Sequence, residues 1–364
     1  MKKITLIVLI MVLTYCTEEK NKYEKNNIIY EPKAKLNLVE KLYHHCNDNF
    51  FVGKIYDVEV IQNRIYISDA TSCQVHVFND SFEHLYSSAE CGRGPDEFDR
   101  VPLLTKDKNH LIAYGIGDMR NYYILDDNLK KISSINTPND YFSEITNPVF
   151  FPNKIVISAL SDNPLIKNKN KDMTVAVMVK RTSQFIKPFC SLDPIYLSNT
   201  TNSYTNTLLT PLLAHGFNNS VVVLQGASTV YNIFNNNGNY VGSYNYKPRF
   251  YKIPPHLSTN QVRNFNSKER FENFYSKISA YKKMFFDEKN KLLYICYYNL
   301  TEESIRYKTH IGVLSYLIVI NSKYRCIYDD KIEGYMTAVE NGYIYTVVNE
   351  GDTLQLNKYS INIL

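Results

Sequence analysis

At 364 residues, with 44% hydrophobic and 13% aromatic side chains, the chain is long and apolar enough to bury a large core, which excludes a disordered or fibrous protein. Tyrosine is abundant at 31, phenylalanine numbers 18 and tryptophan is absent, a balance that suits aromatic and β-branched strands. The net charge of +5, two units of it from Lys2 and Lys3, is too small and too dispersed to mark a nucleic-acid surface.

The chain opens with Met1-Lys2-Lys3 and the apolar run Ile4 to Leu13, the charged start and short apolar stretch of a secretory signal. That run is too short to anchor stably across a bilayer. Leu13-Thr14-Tyr15-Cys16 follows and resembles a lipobox, with Tyr15 where a small residue is usual. The expected organisation is a signal peptide over 1–15, lipid on Cys16, a polar flexible tether over 16–33, and one folded unit from 34 to 364. Thr17-Glu18-Glu19-Lys20 resembles the acidic signal that sends Bacteroidetes lipoproteins to the cell surface. An outer-membrane lipoprotein, periplasmic or surface-exposed and touching the membrane through its lipid alone, is therefore expected.

Beyond residue 50 a six-residue strand, a four-residue loop and a second six-residue strand recur. The pairs are Arg64 to Asp69 with Gln74 to Asn79, Leu111 to Ile116 with Asn121 to Asp126, Ser220 to Gln225 with Val230 to Asn235, and Tyr343 to Val348 with Thr353 to Lys358. Each is followed by a polar turn and another strand, and preceded by an apolar strand such as Ile55 to Ile61. Two further repeats are interrupted, between Leu160 and Val175 and between Tyr298 and Leu317. Four antiparallel strands at this spacing predict an all-β fold, a six-bladed β-propeller. The last repeat shows only three strands, so the N-terminal segment Ala34 to Tyr43 is expected to supply its fourth and close the ring. One segment departs from this pattern: Val262, Phe265, Phe271, Phe274, Tyr275, Ile278 and Tyr281 lie near helical spacing, predicting a helical insert over about 256–283 between blades 4 and 5.

Between the first two repeats lies Cys91-Gly92-Arg93-Gly94-Pro95-Asp96-Glu97-Phe98, a turn shaped by two glycines and a proline. Lipobox, tether, six blades and this turn together resemble the NHL-like six-bladed β-propeller lipoproteins of Bacteroidetes. The resemblance implies a surface or periplasmic propeller and no particular reaction.

In a propeller, the loops between second and third strands open on the same face as the loops between blades. Every long loop here is of one of these kinds, so ligand contact is expected on that face, at the channel mouth. Arg93, Asp96 and Glu97, with Asp69 and Arg120, are the candidate ligand-binding residues. Within the turn, the alternative is structural: Glu97 accepting backbone N–H groups and Arg93 pairing with Asp96 or Asp99. Cys73 and Cys91 reach the same face of one blade and are expected to pair, with Cys46 as competitor, whereas Cys296 and Cys326 read as buried thiols. His44-His45-Cys46 lacks the spacing of a metal site, and no Gly-x-Ser-x-Gly elbow or phosphate loop is present. The expected function is non-catalytic binding of a glycan, peptide or envelope protein, with no cofactor and no nucleic acid. The alternative is a lyase or hydrolase using Asp57, Glu59, Asp69, Asp96 and Glu97, with Ca²⁺ as its possible cofactor. A purely structural envelope component is the third reading.

Overall fold

The computed structural model describes residues 26–45, 51–92, 94, 97–115, 121–137, 147–158, 173–191, 193, 211–226, 228–253, a few positions from 264 to 272, 275–301, 314–350 and 353–364. They form six antiparallel sheets arranged as the blades of a β-propeller. Blade 1 is Ile55–Ile61, Arg64–Asp69, Gln74–Phe78 and His84–Ser87. Blade 2 runs from Pro102–Asp107 to Lys131–Asn136, blade 3 from Val149–Phe150 to Phe185–Ser191, and blade 4 from Pro211–Gly216 to Tyr240–Asn245. Ser279–Asp287, Leu292–Asn299, Leu314–Asn321 and Arg325–Ile332 make blade 5. Blade 6 takes Tyr335–Glu340, Tyr343–Glu350 and Thr353–Ile363 from the end of the chain and Ala34–His45 from its start. That last pairing runs from Thr353 opposite His45 to Ile363 opposite Ala34.

The described residues form six hydrophobic cores, one in each wedge between neighbouring blades. The clearest is between blades 4 and 5, where Leu224, Tyr231, Tyr297 and Ile318 are all buried. It also absorbs much of the tyrosine: Tyr251 stacks on Tyr281 at 4.6 Å, Tyr297 on Tyr316 at 5.0 Å and Tyr244 on Tyr324 at 3.8 Å. Second strands are buried on both faces, as in Ser220–Gln225 and Leu292–Asn299, which is why they read as continuous apolar runs.

The Asn/Asp turns before the outer strands share one device. Asn79, Asp126, Asn235 and Asn321 each accept, through Oδ1, the N–H groups of the residues two and four positions on. The chain then crosses the left-handed region at Phe82, Leu129, Gly238 and Tyr324. A side-chain acceptor at the first position and a reversal at the fourth explain the repeated polar turn.

Two expectations are corrected. The tether does not stay free to residue 33: Asn26–Asn27 adds in parallel to the outer strand of blade 4, and Ile29–Tyr30 to that of blade 5. Ile28 is buried between them, and Glu31 and Lys33 donate backbone N–H groups to Cys326 and Ile327 of blade 5. Outer strands leave a row of unpaired backbone groups, and residues 26–33 cover that edge on two blades. The second correction concerns the helical insert. Its end is a strand, because Tyr281 lies in Ser279–Asp287 and packs into the wedge between blades 4 and 5. The bounded helical element in the segment is one 3-10 turn, Tyr275–Lys277. Asn266 and Glu269 exchange the reciprocal bonds of a capping box, and most of residues 254–274 lie outside the described residues.

Candidate functional site

Antiparallel order places the loop before each inner strand and the loop after each second strand at one end of the blades. On that face the turn after blade 1 is built around Glu97. Its carboxylate accepts the Gly94 N–H at 2.7 Å, Gly92 donates to the Phe98 carbonyl at 2.8 Å, and Phe98 is buried between blades 1 and 2. A Cβ on Gly92 would lie 2.0 Å from Glu97 Oε2, so a larger residue there would push the carboxylate off the Gly94 N–H. The Glu97 side chain thus turns into its own loop. Arg93 and Asp96 lie outside the described residues, as do Arg120 and Cys16.

Beside this turn Cys73 and Cys91 form a disulfide with Cα atoms 5.4 Å apart, joining the second-to-third-strand loop of blade 1 to the start of the turn. Cys190, Cys296 and Cys326 are buried, and Cys46 lies outside the described residues. Asp69 sits at the base of the same loop and is fully buried. Its two oxygens accept the N–H groups of Gly53, Lys54, Thr71 and Ser72 and the Ser72 hydroxyl, at 2.8–3.3 Å. Burial pushes its carboxyl up, but hydrogen bonds from His76, Thr71, Gly53 and Ser72 outweigh that and hold it well below the usual carboxylate range. Five donors from the two loops it joins make Asp69 a loop-fixing residue.

Of the five carboxylates expected at the channel, two are brought together on the inner strand of blade 1. Asp57 accepts from Val58 N–H and from Leu104 N–H of blade 2, both at 2.9 Å, and pairs with Lys283 of blade 5. Glu59 accepts from Val60 N–H at 2.9 Å and lies 3.5 Å from Lys106 of blade 2. Lys106 also pairs with Glu340 of blade 6 and donates to the carbonyls of Val60 and Val339, both at 3.0 Å. Burial holds the Glu59 carboxyl above its ordinary value, and the nearby charges of Lys106 and Lys283 only partly offset this. Lys106 stays firmly charged because Glu59 and Glu340 outweigh its own burial. With Lys180 on Asp107 joining blades 2 and 3, the axial charges act as blade-to-blade clamps. Among the described residues, no three His, Cys, Asp or Glu side chains are grouped to hold a metal ion.

A third feature lies at the rim, where the end of the N-terminal strand of blade 6 faces the outer half of blade 1. An open cleft of about 710 Å³ is lined there by Tyr43, His44, Phe51, Gln74, His84 and Ser87, among others. Strand pairing sets His76 opposite Ser87 and Phe78 opposite His84. The Ser87 hydroxyl is shared by His76 Nδ1 at 2.7 Å and His84 Nε2 at 2.9 Å, and His76 Nε2 lies 3.1 Å from Ser72 Oγ and 3.7 Å from Asp69. His44 packs edge-on against Phe78 and Phe82. Burial holds both His44 and His84 below the ordinary imidazole value, so both are neutral at pH 7. Tyr43 and Phe51 are about half exposed at the mouth, at 52% and 49%. Sequence reading passed over this group. His76 and Ser87 are eleven positions apart, and only the register of the third and outer strands joins them.

Residues 36–172 match the DUF5128 family, described as a 6-bladed beta-propeller. No curated protein matches the chain in sequence. Among solved structures, a DUF4221-family member from Bacteroides vulgatus superimposes with a TM-score of 0.66 at 12% identity, covering 92% of this chain and 99% of its own. A protein from Bacteroides fragilis, provisionally described as exported, gives 0.58 at 12% identity over 93% and 98%. A streptogramin B lyase reaches only 0.45 at 9% identity over 88% and 98%, too low a likeness to bear on activity. Together with the six sheets, these likenesses make the chain an all-β six-bladed propeller that resembles DUF5128 over residues 36–172.

Proposed function

We propose that this chain is an exported, lipid-anchored propeller of the cell envelope that binds a glycan, peptide or envelope protein on its loop face and catalyses no reaction. The observation that carries the reading is the state of the axial carboxylates: Asp57 and Glu59 are occupied by backbone N–H groups and lysines that tie blades 1, 2, 5 and 6 together. A lyase or hydrolase of the channel-mouth type needs a carboxylate held ready for substrate, and these are committed to the ring. Export is supported by the N-terminal segment Met1 to Cys16, by the Cys73–Cys91 disulfide and by the Bacteroides fragilis likeness.

Two measurements on one preparation test it. Labelled palmitate should enter the protein in a bacterial host and be lost in Cys16→Ala. The purified mature chain should show saturable binding without turnover when screened against glycans and peptides. Turnover that disappears in Glu59→Gln would contradict the reading and restore the enzymatic alternative.

A further inference from the structure

We infer that the cleft between blades 6 and 1 is a binding site for a neutral carbohydrate unit, with Tyr43 and Phe51 as its aromatic walls and Gln74, His84, Ser87 and Glu83 as its polar contacts. The inference rests on the binding reading above and assigns that reading a place and a ligand class.

A cleft of about 710 Å³ lies within the range that holds compact ligands. Two large rings half exposed at one opening are costly to leave in water and offer flat apolar faces. Between them the lining is polar: a carboxamide on Gln74, the Ser87 hydroxyl, imidazoles and the Glu83 carboxylate. A ligand that fits must be flat and apolar on one face and rich in hydroxyl groups around its edge. A pyranose ring meets that description, whereas an aliphatic ligand would strand the polar lining.

Charge narrows the class further. Glu83 is the acidic group at the rim and disfavours an anionic ligand. The site's frame is rigid: Phe78 and Phe82 pack at 4.8 Å, His44 sits against both, and Gln74 donates to the Ser88 carbonyl at 2.8 Å. A packed floor lowers the ordering cost of binding. Phe51 lies in the loop leading into blade 1, and Gln74 follows the loop after its second strand. Ser81, Phe82 and Glu83 belong to the turn at the other end of the blade, so the cleft runs along the rim and reaches the loop face at Phe51 and Gln74.

The test is titration of the mature chain, by calorimetry and saturation-transfer NMR, with methyl glycosides of glucose, galactose, mannose and N-acetylglucosamine, and with glucuronate and indole. At least one neutral glycoside should bind saturably and more tightly than glucuronate or indole. Tyr43→Ala and Phe51→Ala, both at half-exposed positions, should each weaken that binding tenfold or more with thermal stability unchanged. Gln74→Glu should weaken it as well. Preference for glucuronate or indole, or no binding of any neutral glycoside, would overturn the inference. Sugar binding that survives both aromatic substitutions would overturn the site while leaving a binding propeller. Hydrolysis of a glycoside, lost in Ser87→Ala, would overturn both.

Discussion

Asp69 shows how a residue that reads as a ligand contact becomes a structural post. Its carboxylate takes five donors from the two loops it joins, so Asp69→Asn, which replaces an acceptor oxygen by a donor, should lower unfolding free energy by about 2–3 kcal/mol at pH 7. The folded carboxyl is held below its ordinary value, so this stabilisation is complete above about pH 4 and fades as pH falls through the folded pKa. Denaturant melts should therefore separate the variant from wild type at neutral pH and converge in strong acid; a constant gap would contradict the assignment. Asp69 and Glu97 carry functional expectations because acidic residues at the edge of a loop look alike whether they face a ligand or their own backbone. Only the positions of the Gly53, Lys54, Thr71 and Gly94 N–H groups tell them apart.

At the scale of elements, three connections can be tested separately. The disulfide closes a short loop, with Cys73 and Cys91 separated by 18 positions, so Cys91→Ser should cost about 3 kcal/mol. A melt of the variant beside wild type, each with and without reductant, checks this: reductant should close the gap. The covering of blades 4 and 5 by residues 26–33 predicts a different failure. A chain starting at residue 26 should stay monomeric, and one starting at residue 34 should self-associate through its bared edges, as size-exclusion chromatography would show. The seam between blades 6 and 1 should be sensitive to acid. His44 and His84 are held below the ordinary imidazole value by burial, so below about pH 6.5 the unfolded chain binds more protons than the folded one. Stability should fall between pH 7.5 and 5.5, and His84→Gln should flatten that slope. His45 beside His44, and His76 and His44 beside His84, add charge that deepens the loss, while backbone hydrogen bonds at Phe82 and Tyr86 moderate it.

For the whole molecule, the ring was legible in the sequence because propeller blades repeat their chemistry. Strand alternation, four-residue loops and the Asn79, Asp126, Asn235 and Asn321 turns recur at matching places, and each is a local backbone requirement. Residues 26–33 were not legible: a short polar stretch that adds to an existing edge gains its order from main-chain bonds that no side-chain pattern records. The helical spacing overreaches toward its end for a related reason, since Tyr281 belongs to a strand and is buried in the wedge between blades 4 and 5. The cleft stayed hidden because Tyr43 and Phe51 meet Gln74, His84 and Ser87 only once the N-terminal strand has joined blade 6. The strand that completes the ring therefore also supplies one wall of the proposed site.

Hydrogen–deuterium exchange on the mature protein, with and without a saturating neutral methyl glycoside, tests the central claim most directly. The expected result is slower exchange confined to residues 43–45, 51–54 and 74–87, with no product formed. Protection centred on Asp57, Glu59, Lys106 and Lys283, or conversion of the glycoside, would contradict it.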